Sequence, residues 1–429
     1  MVDLHDSPRP MTVRRATFYF ALVYFSQGIC QTVTLLNQPL RMYLQDVARL
    51  DSSGIADFMF VVTIPWMIKP AYGLLSDFFP LFGYRRKSYL LLTNAIAAGS
   101  FLLISGVHST QAVLAALVLT GVGVAASDVV VDAMMVQSGQ QTGRTRLFQG
   151  AQWTALNVAA ILSGLLGSAI CAHFPTNGSA ALRTAALIAM VIPLVVAVLT
   201  WFLVTDRRAR MNVPEFKAAT FSLFGAFKSL RLWLVVGFIF LTRFNPGVQT
   251  ALYDHLKSRV GLSQSYLAIL DTWFSVGQVV GSIVFLSLMS GKLSTKVSVT
   301  IGLVAGAAGL LPMLVITGKA SANLAYASWG MTDMIASLAL LTVAAEACPK
   351  RVEAVVFAAL MSVYNLAQSW SDIAGSRLYD GLLHHRINPL VLLSAAFTAA
   401  GLVLIPLLKP APAEDDAAPV TDPAPATAS

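Results

Sequence analysis

The residues of this chain that could do chemistry are ionisable groups stranded in apolar runs: Lys69, Asp128, Asp132, Arg243 and Asp333. Each costs about 2.5–3.5 kcal/mol at the centre of a membrane helix unless a partner or a cavity receives it. Asp128 and Asp132 stand four residues apart and so share one helical face. Asp128 lies nearer the middle of its run, where it reads either as a proton carrier or as half of a buried pair. Asp132 lies nearer the run's end, within reach of Arg85, Arg86 and Arg144, and reads as a structural or gating carboxylate. Arg243 is too deep in its run to snorkel. It reads either as an ion pair with Asp271, Asp333 or Asp372, or as the cation that receives an anionic ligand. Lys69, about two turns from the end of its run by helical spacing, reads as a snorkelling side chain. Asp372 and Arg377 approach the far end of a later run, as a gate or as solvent contacts.

Around these charges the sequence places aromatic and amide groups. Trp66, Trp153, Trp273, Trp329 and Trp370 fall inside apolar runs, whereas Trp201 and Trp233 fall at run ends, as interfacial residues do. Packing against lipid or core explains each tryptophan singly; together with a buried Arg they suit a flat, aromatic, negatively charged ligand. The candidate ligand-facing set is therefore Arg243, Asp128, Asn157, Trp153, Asp333, Asn365 and Trp370. The candidate gating set is Asp77, Arg85, Arg86, Asp132 and Lys69. The gating set centres on the stretch Pro65 to Tyr89, PWMIKPAYGLLSDFFPLFGYRRKSY, in which an apolar helix is expected to break at Gly73 to Asp77 and the loop to close on Arg85, Arg86 and Lys87. Asp77 can there accept from the basic cluster in one state and release it in another. No nucleophile–base pair, HExxH or phosphate loop is present, so an enzyme is not expected. Cys30, Cys171 and Cys348 are far apart and build neither a disulfide framework nor a metal site, and no cofactor is implied.

The elements that must position these groups are membrane helices. A chain of 429 residues that is 56% hydrophobic, 12% charged and of mean hydropathy +0.69 has too little polar surface to coat a soluble globule. The net charge of +8 comes from short clusters between apolar runs, a topology signal and not a nucleic-acid face. Twelve runs are expected, at roughly 17–40, 55–76, 88–106, 112–137, 147–172, 182–204, 231–252, 264–289, 297–317, 323–347, 354–378 and 389–409, each near the ~20 residues a span needs. Most Lys and Arg then fall on the side of both termini, which predicts cytoplasmic termini in the plasma (inner) membrane. Met1 to Arg15 has no apolar core, so no cleavable signal peptide is expected.

The polar interruption from Asp206 to Leu230 separates six runs from six. The expected units are 1–204, a central cytoplasmic loop 205–230, a second bundle 231–409, and a disordered Pro/Ala-rich tail 410–429. A weak repeat supports two equivalent halves. Gly150 to Ser168 lies on Ala358 to Ser376, matching Asn157 with Asn365, Ala159 with Ala367, Gly167 with Gly375 and Ser168 with Ser376; Leu44, Leu50 and Ser53 fall likewise on Leu256, Leu262 and Ser265.

The run PWxIKPxYGxxSDxFPxFGYRRxSY resembles the signature of the folate–biopterin transporter family, a branch of the major facilitator superfamily. SDVVVDAMMVQ (Ser127 to Gln137), NPGVQTALYDHLKSRVGLS (Asn245 to Ser263) and CPKRVEAVVFAALMSVYNLA (Cys348 to Ala367) are similar to further pieces of that family, in the same order and across both halves. The resemblance implies an all-α, twelve-helix major facilitator fold in two six-helix bundles. It also implies a secondary transporter of folates, pterins or related organic anions, with the lipid bilayer and protons as partners. In that reading Arg243 holds the anion, Asp128 carries the proton, and Asp77 with Arg85 and Arg86 gates the inner face. The alternatives are export of another organic anion or amphiphile, and a non-transporting assembly factor or sensor.

Overall fold

The computed structural model describes residues 11–142, 144–206, 208, 217, 220–221, 225, 228–289, 292–347 and 353–407. The expected tail, most of the central loop and Cys348 lie outside these. The described residues are helical apart from loops and two isolated bridges, Leu81 to Tyr84 and Tyr84 to Arg208.

The described helices form twelve columns. The first is α1 (Val13–Cys30) with α2 (Asn37–Asp46), and the second is α3 (Ser52–Met67) with α4 (Lys69–Phe78). Columns three to six are α5 (Lys87–Gly106), α6 (Thr110–Thr142), α7 (Thr145–His173) and α8 (Gly178–Leu203). The seventh is α9 (Leu230–Arg243) with α10 (Gln249–Ser258), and the eighth is α11 (Gln264–Val284), which runs on as a π-helical turn to Met289. Columns nine to twelve are α12 (Thr295–Leu310), α13 (Lys319–Ala347), α14 (Glu353–Asp380) and α15 (Ile387–Ala400). Among the described residues nine columns are long and apolar enough to cross a membrane as they stand; the first, seventh and eleventh are not. The first and seventh are interrupted, and the eleventh carries Asn365, Gln368, Asp372 and Arg377.

Two boundaries differ from the sequence expectation. The helix of the second column does not break at Gly73 to Asp77: the Phe79 amide still bonds Leu75 O, so α4 continues to Phe78 and Asp77 sits in its last turn. The chain turns instead where Pro80 removes a donor and Phe82 and Gly83 adopt φ +51° and +81°. The first column, expected as one continuous span, breaks between Cys30 and Asn37. No proline falls in that break, which is why the sequence did not show it. The seventh column breaks between Arg243 and Gln249, at Asn245 and Pro246, where the proline removes a donor.

The two interrupted columns are copies of each other. The shift that carries Asn37 onto Gln249 also carries Asp46 onto Ser258 and Ser52 onto Gln264, so helix limits coincide in both halves. It carries Arg49 (φ +59°) onto Gly261 (φ +76°), and in each half the following leucine amide bonds a leucine carbonyl at 3.0 Å, Leu50 to Leu44 and Leu262 to Leu256. The second repeat is packed in the same way. Gly167 lies against the first column's break at Leu35 O, and Gly375 against the seventh column's break at Gly247, where a Cβ would come 2.6 Å from Gly247 N. Backbone freed by the break at Pro246 is met by α14: Gly247 N donates to Ser371 O at 2.8 Å, and Ser371 Oγ donates to Asn245 O. In a bilayer such groups must be satisfied by protein.

Four apolar cores result, none mixing the two halves. In the first half one core around Tyr19, Phe20 and Phe148 sits towards the face that carries the termini, and one around Leu40, Phe101 and Ala185 sits towards the opposite, distal face. In the second half the corresponding cores gather around Ile239 and Val343, and around Tyr326 and Leu390. Polar groups fill the level between the cores, and it is there that Lys69, Asp128, Arg243 and Asp333 lie.

Candidate functional site

In the first half, Lys69 Nζ lies 2.6 Å from Asp128 Oδ2 and 4.7 Å from the centre of the Trp66 ring. Lys69 starts α4 because Pro70 ends the ladder of α3, and this kink turns its side chain inward onto α6. Snorkelling is thus corrected: an ammonium with a carboxylate at contact distance has no reason to travel to the surface. Asp128 is 5% exposed and takes the buried-pair reading. Asp132 does not meet Arg85, Arg86 or Arg144 either. Tyr24 on α1 reaches it first, donating its hydroxyl to Oδ1 at 2.5 Å.

In the second half Arg243 ends α9 at the break and selects Asp333 from its three candidate partners, Nη1 to Oδ1 at 3.0 Å. Its other terminal nitrogen donates to Ser337 Oγ, and its guanidinium lies 4.4 Å over the Tyr364 ring. Arg243 Nε is buried and bonds nothing. Adjacent residues of α14 join the two pairs: Tyr364 covers Arg243, while Asn365 Nδ2 donates to Trp66 O at 3.4 Å, beside Lys69. The chain Asp128, Lys69, Trp66, Asn365, Tyr364, Arg243, Asp333 therefore crosses the boundary between the halves at the polar level.

Other expected members stand apart from this chain. Asn157 bonds the Trp153 carbonyl of its own helix, and Trp153 is 44% exposed. Trp370 packs edge-on to Phe240, one turn before Arg243. Trp329 packs with Phe274 and Tyr326 in the distal core, and so is not gathered with the others around a ligand. At the face carrying the termini, Arg86 Nη2 reaches Asp77 Oδ1 at 2.5 Å and its Nη1 reaches Ser76. Backbone amides of Arg86 and Lys87 both donate to Asp206. Lys87 turns away to Trp201 O and the Trp201 ring, and Arg85 Nε is buried without a partner, so Asp77 engages one of the three bases.

A model of the BT1 family matches residues 27–419. The chain belongs to the BT1 family. It is 28% identical over 410 residues to a folate-biopterin transporter of Synechocystis sp., covering 92% of this chain and 81% of that relative. It is 23% identical over 409 residues to folate transporter 2 of Plasmodium falciparum, covering 90% and 87%. Among solved structures it superposes on the nucleoside transporter NupG with a TM-score of 0.69 at 12% identity, covering 92% and 98%. It superposes on a D-xylose-proton symporter with 0.72 at 13%, covering 93% and 98%. This BT1 family member is an integral membrane transporter with the major facilitator fold, a carrier and not an enzyme.

The BT1 chain also holds a latch that the sequence did not reveal. At the distal end Asp271 on α11 accepts from Asn37 Nδ2 and Gln38 Nε2 of the first half, each at 2.9 Å, and from Tyr253 of its own half. Arg41 is 3% exposed; it donates to Asn37 and to Thr250 Oγ1 and lies 4.4 Å over the Tyr253 ring. Thr250 in turn donates to Asp372. Further links between the halves run from Lys257 to Asp46, Arg377 to Asp57 and Ser53 to Asp380. Asn37, Gln38 and Arg41 recur at i, i+1 and i+4 in a short helix, the one sequence signal of a polar face. Nothing local names its partner some 200 positions away.

Proposed function

We propose that this protein moves folate- or pterin-type organic anions across the plasma membrane by alternating access, coupled to protons, with both termini in the cytoplasm. In this reading residues 1–204 and 231–409 are the two bodies that rock, joined by 205–230. The segregation of the four cores supports that division, since each half can move without opening its own packing. The names of the family's relatives support the substrate class.

The observation that carries the proposal is the arrangement of Arg243. A planar guanidinium at a helix break, bonded to Asp333 and Ser337 and with one N–H unused, is a cation whose carboxylate partner a substrate carboxylate can replace. Each substrate carboxylate added to the neutral Arg243–Asp333 pair leaves one excess negative charge in the membrane, and one co-transported proton cancels it. The latch at the distal end holds this conformation closed on that side, and Asp77 with Arg86 belongs to the cytoplasmic side. Uptake of labelled folic acid into proteoliposomes tests the reading. An inward acid gradient should drive accumulation; no uptake of folates or pterins under any gradient would remove this substrate class.

A further inference from the structure

The buried charges of the first half do not balance. Asp128 and Asp132 lie on one face of α6 and meet a single cation, Lys69, which is committed to Asp128 at 2.6 Å. Asp132 is partly exposed, beside the core that contains Val131, Met135 and Phe148. Its direct partner is a neutral phenol, Tyr24. The charged and titratable groups that face it are Asp128 on its own helix, Tyr24 on α1 and Lys69 on α4, with the Gln152 amide on α7. Among the described residues α3 and α5, also packed on α6, add no charged group to this set. A second carboxylate left ionised here would be a charge without a cation of its own inside a membrane protein.

The donors around Asp132 suit both of its protonation states. Tyr24 donates to Oδ1 and leaves Oδ2 free to carry a proton. Gln152, 1% exposed and facing Asp132, has an Nε2 that makes no hydrogen bond of ordinary geometry. A donor left idle in a buried site has its use when the carboxylate loses its proton. Asp128 has no such freedom, because protonating it would strand the Lys69 ammonium.

We infer that Asp132, not Asp128, is the group that binds and releases the transported proton, with Tyr24 and Gln152 positioning it. This rests on the proton-coupled reading above and names its site. The proton adds to Oδ2 from a hydronium ion on the distal side when that side is open, and leaves to water when α6 is hydrated from the side of the termini; no other bond changes.

Two measurements separate this inference from that reading. Infrared spectroscopy of the purified protein should show a carboxylic acid C=O band that shifts in heavy water. One component of it should vanish in Asp132→Asn and persist in the double variant Lys69→Met/Asp128→Asn, which removes the neighbouring pair as a neutral unit. An unchanged band in Asp132→Asn overturns the inference even if transport proves proton-driven. In proteoliposomes Asp132→Asn should lose acid-driven accumulation of labelled folic acid yet keep exchange of folic acid for folic acid. Equal loss of both would make Asp132 structural. Sodium-driven accumulation, with no response to an acid gradient in the unaltered protein, would overturn proton coupling and this site's role in it together.

Discussion

The two ion pairs at the polar level are built differently, and the difference separates holding from binding. Lys69 and Asp128 form a closed pair: a point charge on a carboxylate 5% exposed, capped by Trp66. Arg243 is shared among Asp333, Ser337 and Tyr364, keeps one N–H idle, and faces a carboxylate 22% exposed. In the first pair the cation is the more open partner, Lys69 at 18% against Asp128 at 5%, whereas in the second it is the carboxylate, Asp333 at 22% against Arg243 at 11%, so a substrate anion competes with an accessible carboxylate only in the second. A helix kink at Pro70 makes the one pair and a helix break at Pro246 the other, but only the second leaves a side-chain N–H of its cation unused.

The largest effect should come from opening the closed pair. Lys69→Met leaves Asp128 buried and unpaired, which should lower stability by about 3–5 kcal/mol. Thermal unfolding in detergent checks this, and Lys69→Met/Asp128→Asn should recover most of the loss. Arg243→Ala should cost less than half as much on the same scale, because Asp333 can take up water. Equal losses would erase the distinction between the pairs.

A smaller effect is expected from Arg243→Lys, which keeps the charge but loses the fork. Folic acid affinity should fall about tenfold, or ~1.4 kcal/mol, while unfolding stays near that of the unaltered protein. At the distal latch Arg41→Gln removes a buried cation from between the halves. It should shift the balance towards opening on that side by about 1–2 kcal/mol, read as faster labelling of a cysteine placed at Ser53. The least is expected of Asp77→Asn. Its carboxylate is 40% exposed, so its pair with Arg86 is worth at most about 1 kcal/mol and is screened by salt. A small change in transport rate that vanishes at high salt fits this; complete loss of transport would make Asp77 far more than a surface contact.

The fold was legible because hydropathy and the positive clusters report the bilayer directly, and details such as the Pro246 break follow from missing donors. The break after Cys30 was not legible, since no residue in Gln31 to Leu36 forbids a helix; there Leu35 O meets α7 at Gly167, a contact between elements that local sequence does not record. Asp333 was among the partners weighed for Arg243, but spacing alone could not choose it over Asp271 or Asp372. Those two are occupied, Asp372 by Thr250 and Asp271 by Tyr253, Asn37 and Gln38, and the last two contacts exist only once both halves are assembled. Lys69 was misjudged because its distance from a helix end was read without the kink that turns it inward.

Equilibrium binding of folic acid to the purified protein tests the central claim, that Arg243 receives the anion. Arg243→Ala should weaken binding by about 2–5 kcal/mol, roughly 30-fold to several thousand-fold, and the neutral double variant Arg243→Gln/Asp333→Asn should remain folded and bind no better. Recovery of affinity and transport in that double variant would contradict the account, because it would make Arg243 and Asp333 a structural pair and place the anion elsewhere.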